Sequence, residues 1–239
     1  MAFKILLVDD DKDFREEFCD FLEDYEVIEA ANGEEALKII RKPNEIDLVI
    51  LDVMMPHLLG TEVLREIKRI APDLPIIILT GYTSKDVAID ALRGHADDYI
   101  EKPLNIIKTK KIIARILEKR IGGHDINHTD TKGKIERVKY FAERNYNKKI
   151  SLNDAAAIVG LSPKYLSRIF KEVTNKSFSQ YRLEAKISMA KELLKDKGYN
   201  ISQLSYKLGY QNVESFIRQF RKLVGCSPTE YRKKQHIRI

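Results

Sequence analysis

The fold of the first half of the chain is decided by the stretch Leu48-Val49-Ile50-Leu51-Asp52-Val53-Met54-Met55-Pro56. Its first four residues are all apolar and β-branched in the middle, which is typical of a central parallel strand covered by helices on both faces. The strand leads directly into the carboxylate of Asp52, and Pro56 ends regular pairing soon afterwards. Reacting groups collect at the carboxyl ends of strands in open α/β sheets. Asp52 is therefore either a reactive group or a solvated loop acid, and the neighbouring segments decide between the two.

Apolar runs of the same kind alternate with helical patterns through residues 1–120. The runs predicted to be strands are residues 4–8, 27–30, 48–51, 74–79 and 98–100. Apolar residues at three- and four-residue spacing predict helices around residues 14–22, 36–40, 63–67, 87–92 and 107–117. Five alternations of strand and helix predict an α/β fold, a doubly wound (βα)5 parallel sheet.

Polar residues stand at four of the predicted strand ends. Asp9 and Asp10 follow the first strand, Asp52 the third, Thr80 the fourth and Lys102 the fifth. Three carboxylates close together repel one another, and an all-oxygen acidic site suits Mg²⁺. A carboxylate beside Mg²⁺ can accept a phosphoryl group, because the cation neutralises the phosphoryl oxygens. Lys102 and the Thr80 hydroxyl are then expected to bind the oxygens of the acyl phosphate.

These motifs give residues 1–120 a resemblance to the receiver domain of two-component response regulators. The matching segments are Leu7-Val8-Asp9-Asp10, Ile50-Leu51-Asp52-Val53-Met54-Met55-Pro56, Leu79-Thr80-Gly81 and Glu101-Lys102-Pro103. The resemblance implies that a sensor histidine kinase phosphorylates Asp52, and it implies a cis peptide before Pro103.

The same resemblance implies the ligands of the metal and a switch residue. Mg²⁺ is expected to bind directly to Asp10, Asp52 and the backbone carbonyl of Met54. Asp9 is expected to support these ligands without contacting the ion directly. Tyr99 matches the switch aromatic of the family, which turns inward when the threonine moves toward phosphate; an ordinary half-buried strand residue is the alternative.

Two other chemistries are disfavoured. A haloacid-dehalogenase-type phosphatase needs a second aspartate where Met54 stands. Nucleotide binding is disfavoured because no glycine-rich phosphate loop follows the first strand.

Charge divides the chain of 239 residues into two unlike halves. Residues 1–120 contain 18 lysines and arginines against 25 aspartates and glutamates, whereas residues 121–239 contain 24 against 11. Only the second half, at +13, is therefore expected to meet a polyanion. Residues 121–133 are polar, glycine-bearing and without period, which predicts a flexible linker. No signal-peptide pattern or membrane-length apolar run is found, and we expect a cytoplasmic protein without a membrane partner.

The basic half contains an internal repeat. Residues 152–160 align with residues 201–209, and residues 166–171 align with residues 216–221. Each copy has the pattern of a short apolar helix, a glycine-bearing turn and a second helix, which predicts two helix-turn-helix units in an all-α domain over residues 134–239.

This half resembles the AraC/XylS type of DNA-binding domain. The matching segments in the second copy are Leu204-Ser205-Tyr206-Lys207-Leu208-Gly209-Tyr210, Phe216-Ile217-Arg218-Gln219-Phe220-Arg221-Lys222 and Ser227-Pro228-Thr229-Glu230-Tyr231-Arg232. The sequence departs from the family at Lys186, where arginine is usual, and at Asn175, where glycine is common. The residues onto which the family's DNA contacts carry over are Lys164, Ser167, Arg168, Glu214 and Arg218.

The two halves together predict a phosphorylation-dependent, sequence-specific transcriptional regulator. Its expected partners are a sensor histidine kinase and double-stranded promoter DNA, with RNA polymerase as a candidate and a homodimer as the phosphorylated form. A receiver whose helical output module binds protein is the alternative. An enzymatic output is disfavoured because the basic half contains no set of nucleophile, base and orienting group.

Overall fold

A computed structural model describes residues 3–56, 60–81, 96–121, 131–196 and 198–236. Contacts between Cα atoms divide the chain into two compact units, residues 1–124 and residues 125–239. Within the described ranges, no helix combines the length and the apolar character that crossing a membrane requires. The predicted linker falls largely on residues 122–130, which lie outside these ranges.

The first unit alternates strand and helix, as predicted. Its elements are β1 (Lys4–Val8), α1 (Lys12–Phe21), β2 (Glu26–Ala30), α2 (Gly33–Arg41), β3 (Ile46–Asp52), α3 (Gly60–Ile70), β4 (Ile76–Thr80), β5 (Asp98–Glu101) and α4 (Ile106–Ile121). All neighbouring strands are parallel, in the order β2-β1-β3-β4-β5. The predicted doubly wound sheet is confirmed. The helix predicted around residues 87–92 lies outside the described residues.

Strand β3 is the centre of this unit, and every residue from Ile46 to Asp52 is buried. Because side chains alternate along a strand, Val49 and Leu51 pack with α2 and α3 on one face of the sheet. Leu48 and Ile50 pack with α1 and α4 on the other face. The strand order reverses between β1 and β3, which is where open α/β sheets form a crevice at the carboxyl ends of their strands.

The second unit is helical throughout its described residues. Its elements are α5 (Thr131–Arg144), α6 (Leu152–Ile158), α7 (Pro163–Thr174), α8 (Phe178–Leu193), α9 (Ile201–Lys207), α10 (Val213–Val224) and α11 (Pro228–His236). The first helix begins at Thr131, three residues before the predicted start of the domain. Gly133 is buried in that helix, so the helical packing reaches into the glycine-bearing segment that sequence pattern assigned to the linker.

The helix pairs α6–α7 and α9–α10 repeat one another in their local chemistry. Ser151 and Asp154 form a capping box at the start of α6, and Asn200 and Gln203 form the equivalent box at the start of α9. The side chains of Ser162 and Asn212 cap the second helix of each pair. The same backbone signals therefore begin both copies.

Each helix pair has its own apolar core, and α8 contributes to both. Phe178 packs in the first core with Leu166, Ile169 and Phe170 of α7. Farther along α8, its side chains pack in the second core with Phe216 and Phe220 of α10; they are Ile187 and Ala190. The shared helix ties the two pairs into one unit.

The turn glycines of the two pairs give a matched test of this packing. Gly160 and Gly209 both have positive φ, of 63° and 76°. A Cβ at Gly160 would meet open space, whereas a Cβ at Gly209 would overlap the backbone of Asn147. Gly160→Ala should lower the free energy of unfolding by about 1–2 kcal/mol through backbone strain alone. Gly209→Ala should lower it by a further ~1–3 kcal/mol, because the Asn147 backbone must move. Urea unfolding followed by circular dichroism checks this, and equal losses in the two variants would contradict it.

Candidate functional site

Three carboxylates meet at the crevice between β1 and β3. Asp9 directly follows β1 and is fully buried, and Asp52 is the last residue of β3 and is also buried. Asp10 is exposed at the mouth of the site. Carboxylate oxygens of Asp9, Asp10 and Asp52 all lie within 4.8 Å of one another. The structure thus brings together three of the residues that the sequence placed at strand ends.

Lys102 joins two of these carboxylates from the end of β5. Its Nζ donates to Oδ2 of Asp9 at 2.7 Å and to Oδ2 of Asp52 at 2.6 Å. The ring centroid of Phe14 lies 4.0 Å from the same Nζ, which adds a cation–π contact. The backbone N–H of Lys102 donates to the carbonyl of Thr80 at 2.8 Å, and the peptide before Pro103 is cis, as predicted.

The charge balance of the site remains negative. Burial raises the pKa of Asp9, although its contacts with Lys102 and with the N–H of Asp11 offset part of that rise. Burial acts to lower the pKa of Lys102, but its hydrogen bonds with Asp52 and Asp9 outweigh that effect and the pKa is raised. Lys102 therefore stays charged at neutral pH, and its single ammonium group contacts two of the three acidic side chains. Such a site favours an additional hard cation.

Backbone donors fix the direction of the two buried carboxylates. The N–H of Met54 donates to Oδ1 of Asp52 at 2.8 Å, and the N–H of Asp11 donates to Oδ1 of Asp9 at 3.0 Å. The side chain of Met54 is 63% exposed and lies outside the core. Each carboxylate thus has one oxygen held by a backbone amide and the other held by Lys102.

Thr80 and Tyr99 lie on the same face of the neighbouring strands. Thr80 ends β4 and is buried, and Tyr99 of β5 pairs with Ile78 of β4, two residues before Thr80. Tyr99 is half-buried against the cluster that α2 and α3 form with the sheet. The hydroxyl of Thr80 donates to the carbonyl of Gly81 at 3.4 Å.

Arg15 is a site residue that the sequence pattern did not single out. Its Nη1 donates to the backbone carbonyl of Asp9 at 2.8 Å, and its Nε donates to Glu29 of β2 at 2.9 Å. The Arg15 side chain therefore links the end of β1 to β2 through hydrogen bonds. Its position on the apolar side of α1, between Phe14 and Phe18, is the only signal in the sequence that could have identified it.

Gly60 is a second residue that the sequence pattern did not single out. It begins α3, and its N–H donates to the carbonyl of Val53 at 3.3 Å. A Cβ at this position would overlap the backbone of Asp52 and Val53. The absent side chain lets α3 approach the end of β3 closely.

The helical unit presents the predicted DNA contacts to solvent. Lys164, Ser167 and Arg168 are exposed on α7, opposite its buried apolar side. Glu214 and Arg218 are exposed on α10 in the same way. A shallow depression on this side of α10 is lined by Glu214, Ile217, Arg218, Arg221 and Lys222.

Two family matches divide the chain as the structure does. Residues 5–116 match the response regulator receiver domain, and residues 155–234 match a helix-turn-helix domain.

Curated proteins similar over almost the whole chain include response regulators of staphylococci. An uncharacterized response regulatory protein of Staphylococcus epidermidis is 29% identical, with 97% of this chain and 98% of that protein covered. The transcriptional regulatory protein HptR of Staphylococcus aureus is 25% identical, with 97% and 98% covered. Histidine kinase P4 of Formosa agariphila is 29% identical over 96% of this chain, but the chain spans only 18% of that protein's length.

The chain belongs to the response regulators, with a receiver domain followed by an AraC-type helix-turn-helix domain. In function it is a DNA-binding response regulator. The resemblance of each half to its family, inferred from sequence motifs, is confirmed.

Replacing Lys102 tests the charge balance of the site. Lys102→Met should lower the free energy of unfolding by roughly 3–5 kcal/mol without Mg²⁺, because buried Asp9 and Asp52 then face each other without a counter-charge. Added Mg²⁺ should restore more stability to this variant than it adds to the wild type, as measured by thermal unfolding. Lys110→Met is the control, since Lys110 lies 3.8 Å from the exposed Asp24 and its loss should change little. A Lys102→Met protein as stable as wild type without Mg²⁺ would contradict the account.

Proposed function

We propose that this protein is a phosphorylation-dependent, sequence-specific transcriptional regulator whose phosphoacceptor is Asp52. The donor is a sensor histidine kinase, and the target is double-stranded promoter DNA. The observation that carries the proposal is the pairing of one lysine with two buried carboxylates at the strand ends. Family membership supports the phosphodonor and the DNA in general terms.

In the proposed reaction, a carboxylate oxygen of Asp52 attacks the phosphorus of a phosphohistidine. The phosphorus–nitrogen bond breaks, its electron pair returns to the imidazole, and an acyl phosphate forms on Asp52. Lys102 already contacts Asp52 and is positioned to bind the oxygens of the new phosphoryl group. Thr80, at the adjacent strand end, is proposed to bind them as well, and Tyr99 to follow its movement.

The donor set of the site fits Mg²⁺. Asp9, Asp10 and Asp52 offer only oxygen ligands, which hard divalent cations prefer, and the Met54 carbonyl is the proposed fourth group. When bound, Mg²⁺ supplies positive charge that stabilises the phosphoryl oxygens during transfer. The residues of this chain hold the cation and direct Asp52, whose Oδ1 is fixed by the Met54 amide.

The proposed DNA contacts are the exposed sides of α7 and α10. Lys164, Ser167 and Arg168 act from α7, and Glu214 and Arg218 act from α10. A helix fits the major groove, and two recognition helices can enter successive grooves when they lie about 34 Å apart on one face of the duplex. The alternative is a helical module that binds protein. Steep loss of duplex binding with rising salt favours DNA over that alternative, since bound phosphates release counterions.

The proposal extends to partners and assembly. A homodimer forms on phosphorylation, and its candidate contacts are Asp97 and Asp98 of one copy with Lys108, Lys111 and Arg115 of the other. Arg115 pairs with Asp98 within the single chain, so a dimer that used this pair would have to exchange it. RNA polymerase is a further candidate partner, and the protein acts in the cytoplasm with the DNA that it reads.

Phosphorylation at Asp52 can be tested with a small phosphodonor. Acetyl phosphate with Mg²⁺ should add one phosphoryl group to the wild type and none to Asp52→Asn, because the amide is not a nucleophile. Intact-mass spectrometry measures the addition, and Asp20→Asn, an exposed change on α1, serves as the control that should still be labelled. Undiminished Mg²⁺-dependent labelling of the Asp52→Asn protein would rule out the assignment.

Direct reading of bases by the two equivalent arginines can be tested by substitution. Arg168→Ala and Arg218→Ala should each relax sequence preference at a different contact, with a loss of roughly 1–3 kcal/mol if the arginine is bidentate to guanine. Binding selections from random duplexes, compared with wild type, measure the preference. If each variant instead weakens binding to all sequences equally, the arginines contact phosphate and the proposed direct reading is wrong.

A further inference from the structure

The exposed side of α10 contains an apolar residue among charged ones. Glu214, Ile217, Arg218 and Arg221 are spaced three and four residues apart, so they form one stripe along the helix. All four are exposed, and Ile217 lies in the middle of the stripe with 36% of its surface accessible. Ile217 is not a member of the second apolar core, which α10 enters from its opposite side. The apolar core of this unit therefore does not include Ile217.

The internal repeat shows which residues of this stripe differ between α10 and α7. The equivalent positions on α7 are Lys164, Ser167, Arg168 and Lys171, all exposed. The arginine and the final basic residue are therefore common to both stripes. The differences are a hydroxyl in place of Ile217 and a lysine in place of Glu214. The two helices thus offer the same basic framework with different chemistry at its centre.

The chemistry of the major groove restricts what an isoleucine in that position can contact. Base edges there present hydrogen-bond donors and acceptors and one projecting apolar group, the C5 methyl of thymine. Arginine, as at position 218, can donate two hydrogen bonds to guanine, and glutamate, as at position 214, can accept from the amino group of cytosine. A side chain between them on the same stripe faces the same few base pairs.

We propose that Ile217 is a specificity-determining residue that packs against the C5 methyl of a thymine beside the guanine read by Arg218. The inference rests on the proposed function, because it requires α10 to lie in the major groove. The two helices then differ: α10 gains affinity from a thymine methyl, whereas α7, with Ser167 at the equivalent position, does not.

The size of the effect follows from the area of one methyl group. Removing one buried methyl from the contact should weaken binding about fourfold. The change should appear at a single thymine, since Ile217 is the one apolar member of its stripe.

The test removes methyl groups from DNA without changing any hydrogen-bonding group. The full-length protein, treated with acetyl phosphate and Mg²⁺, is first used to select a preferred duplex from random sequences. Each thymine is then replaced singly by deoxyuridine, and affinity is measured by fluorescence anisotropy. The α10 contact is the one whose preference relaxes in Arg218→Ala.

The expected result is one deoxyuridine position, within the α10 contact, that weakens wild-type binding about fourfold. Ile217→Ser should remove that sensitivity, and the matched variant Ser167→Ile should create a new sensitive position within the α7 contact. Both residues are exposed, so neither change disturbs a core.

Two outcomes would overturn the inference while leaving the proposed function intact. One is a selected duplex in which no deoxyuridine position in the α10 contact matters. The other is a sensitivity that persists unchanged in Ile217→Ser. A selection that yields no preferred sequence would instead overturn the proposed sequence-specific binding, and the inference with it.

Discussion

The ammonium group of Lys102 contacts the carboxylates of both Asp9 and Asp52. The receiver unit must therefore bring these three side chains together at one edge of its sheet. The two aspartates are buried at the ends of adjacent strands, where water cannot screen their repulsion. The lysine comes from β5, which is separated from β3 by β4, so its side chain must pass the end of β4. The buried Thr80 stands at that end, and its carbonyl accepts from the backbone N–H of Lys102.

This arrangement also explains how a phosphoryl group on Asp52 could change the structure elsewhere in the unit. Forming the acyl phosphate removes charge from the carboxylate oxygen that reacts and brings new phosphoryl oxygens beside Lys102. The lysine cannot keep its present contacts unchanged, and its backbone is hydrogen-bonded to Thr80 on the neighbouring strand. In the proposed function, the change therefore reaches β4 and β5 first. Tyr99 lies on the same face of these strands as Thr80, where a movement of either strand would alter its packing.

Much of this could be predicted from sequence because the deciding signals are local. The apolar run before Asp52 predicts a buried strand, and parallel strands bring their carboxyl ends to one edge, so the carboxylates and Lys102 were expected together. The helix caps at Ser162 and Asn212 are also local signals, because each cap bonds to a backbone N–H three residues later. Asn175, noted as a departure from a common glycine, ends α7 in the left-handed region at φ 56°, which asparagine tolerates better than most residues.

What could not be predicted depends on contacts between distant segments. The role of Arg15 requires knowing that β2 brings Glu29 beside the end of β1. The need for glycine at position 60 arises from the approach of α3 to Asp52, which no local pattern encodes. The start of α5 at Thr131 was missed because its first turn is polar and contains a glycine, whose burial is decided by packing.

The central claim is that the state of Asp52 controls the affinity of the helical unit for DNA. The most direct measurement is the dissociation constant for one specific duplex, taken with and without acetyl phosphate, for the wild type and for Asp52→Asn at the same salt concentration. The account predicts that the phosphodonor tightens binding by the wild type and leaves the variant unchanged. Equal tightening in both proteins, or none in a wild type shown to be phosphorylated, would contradict it.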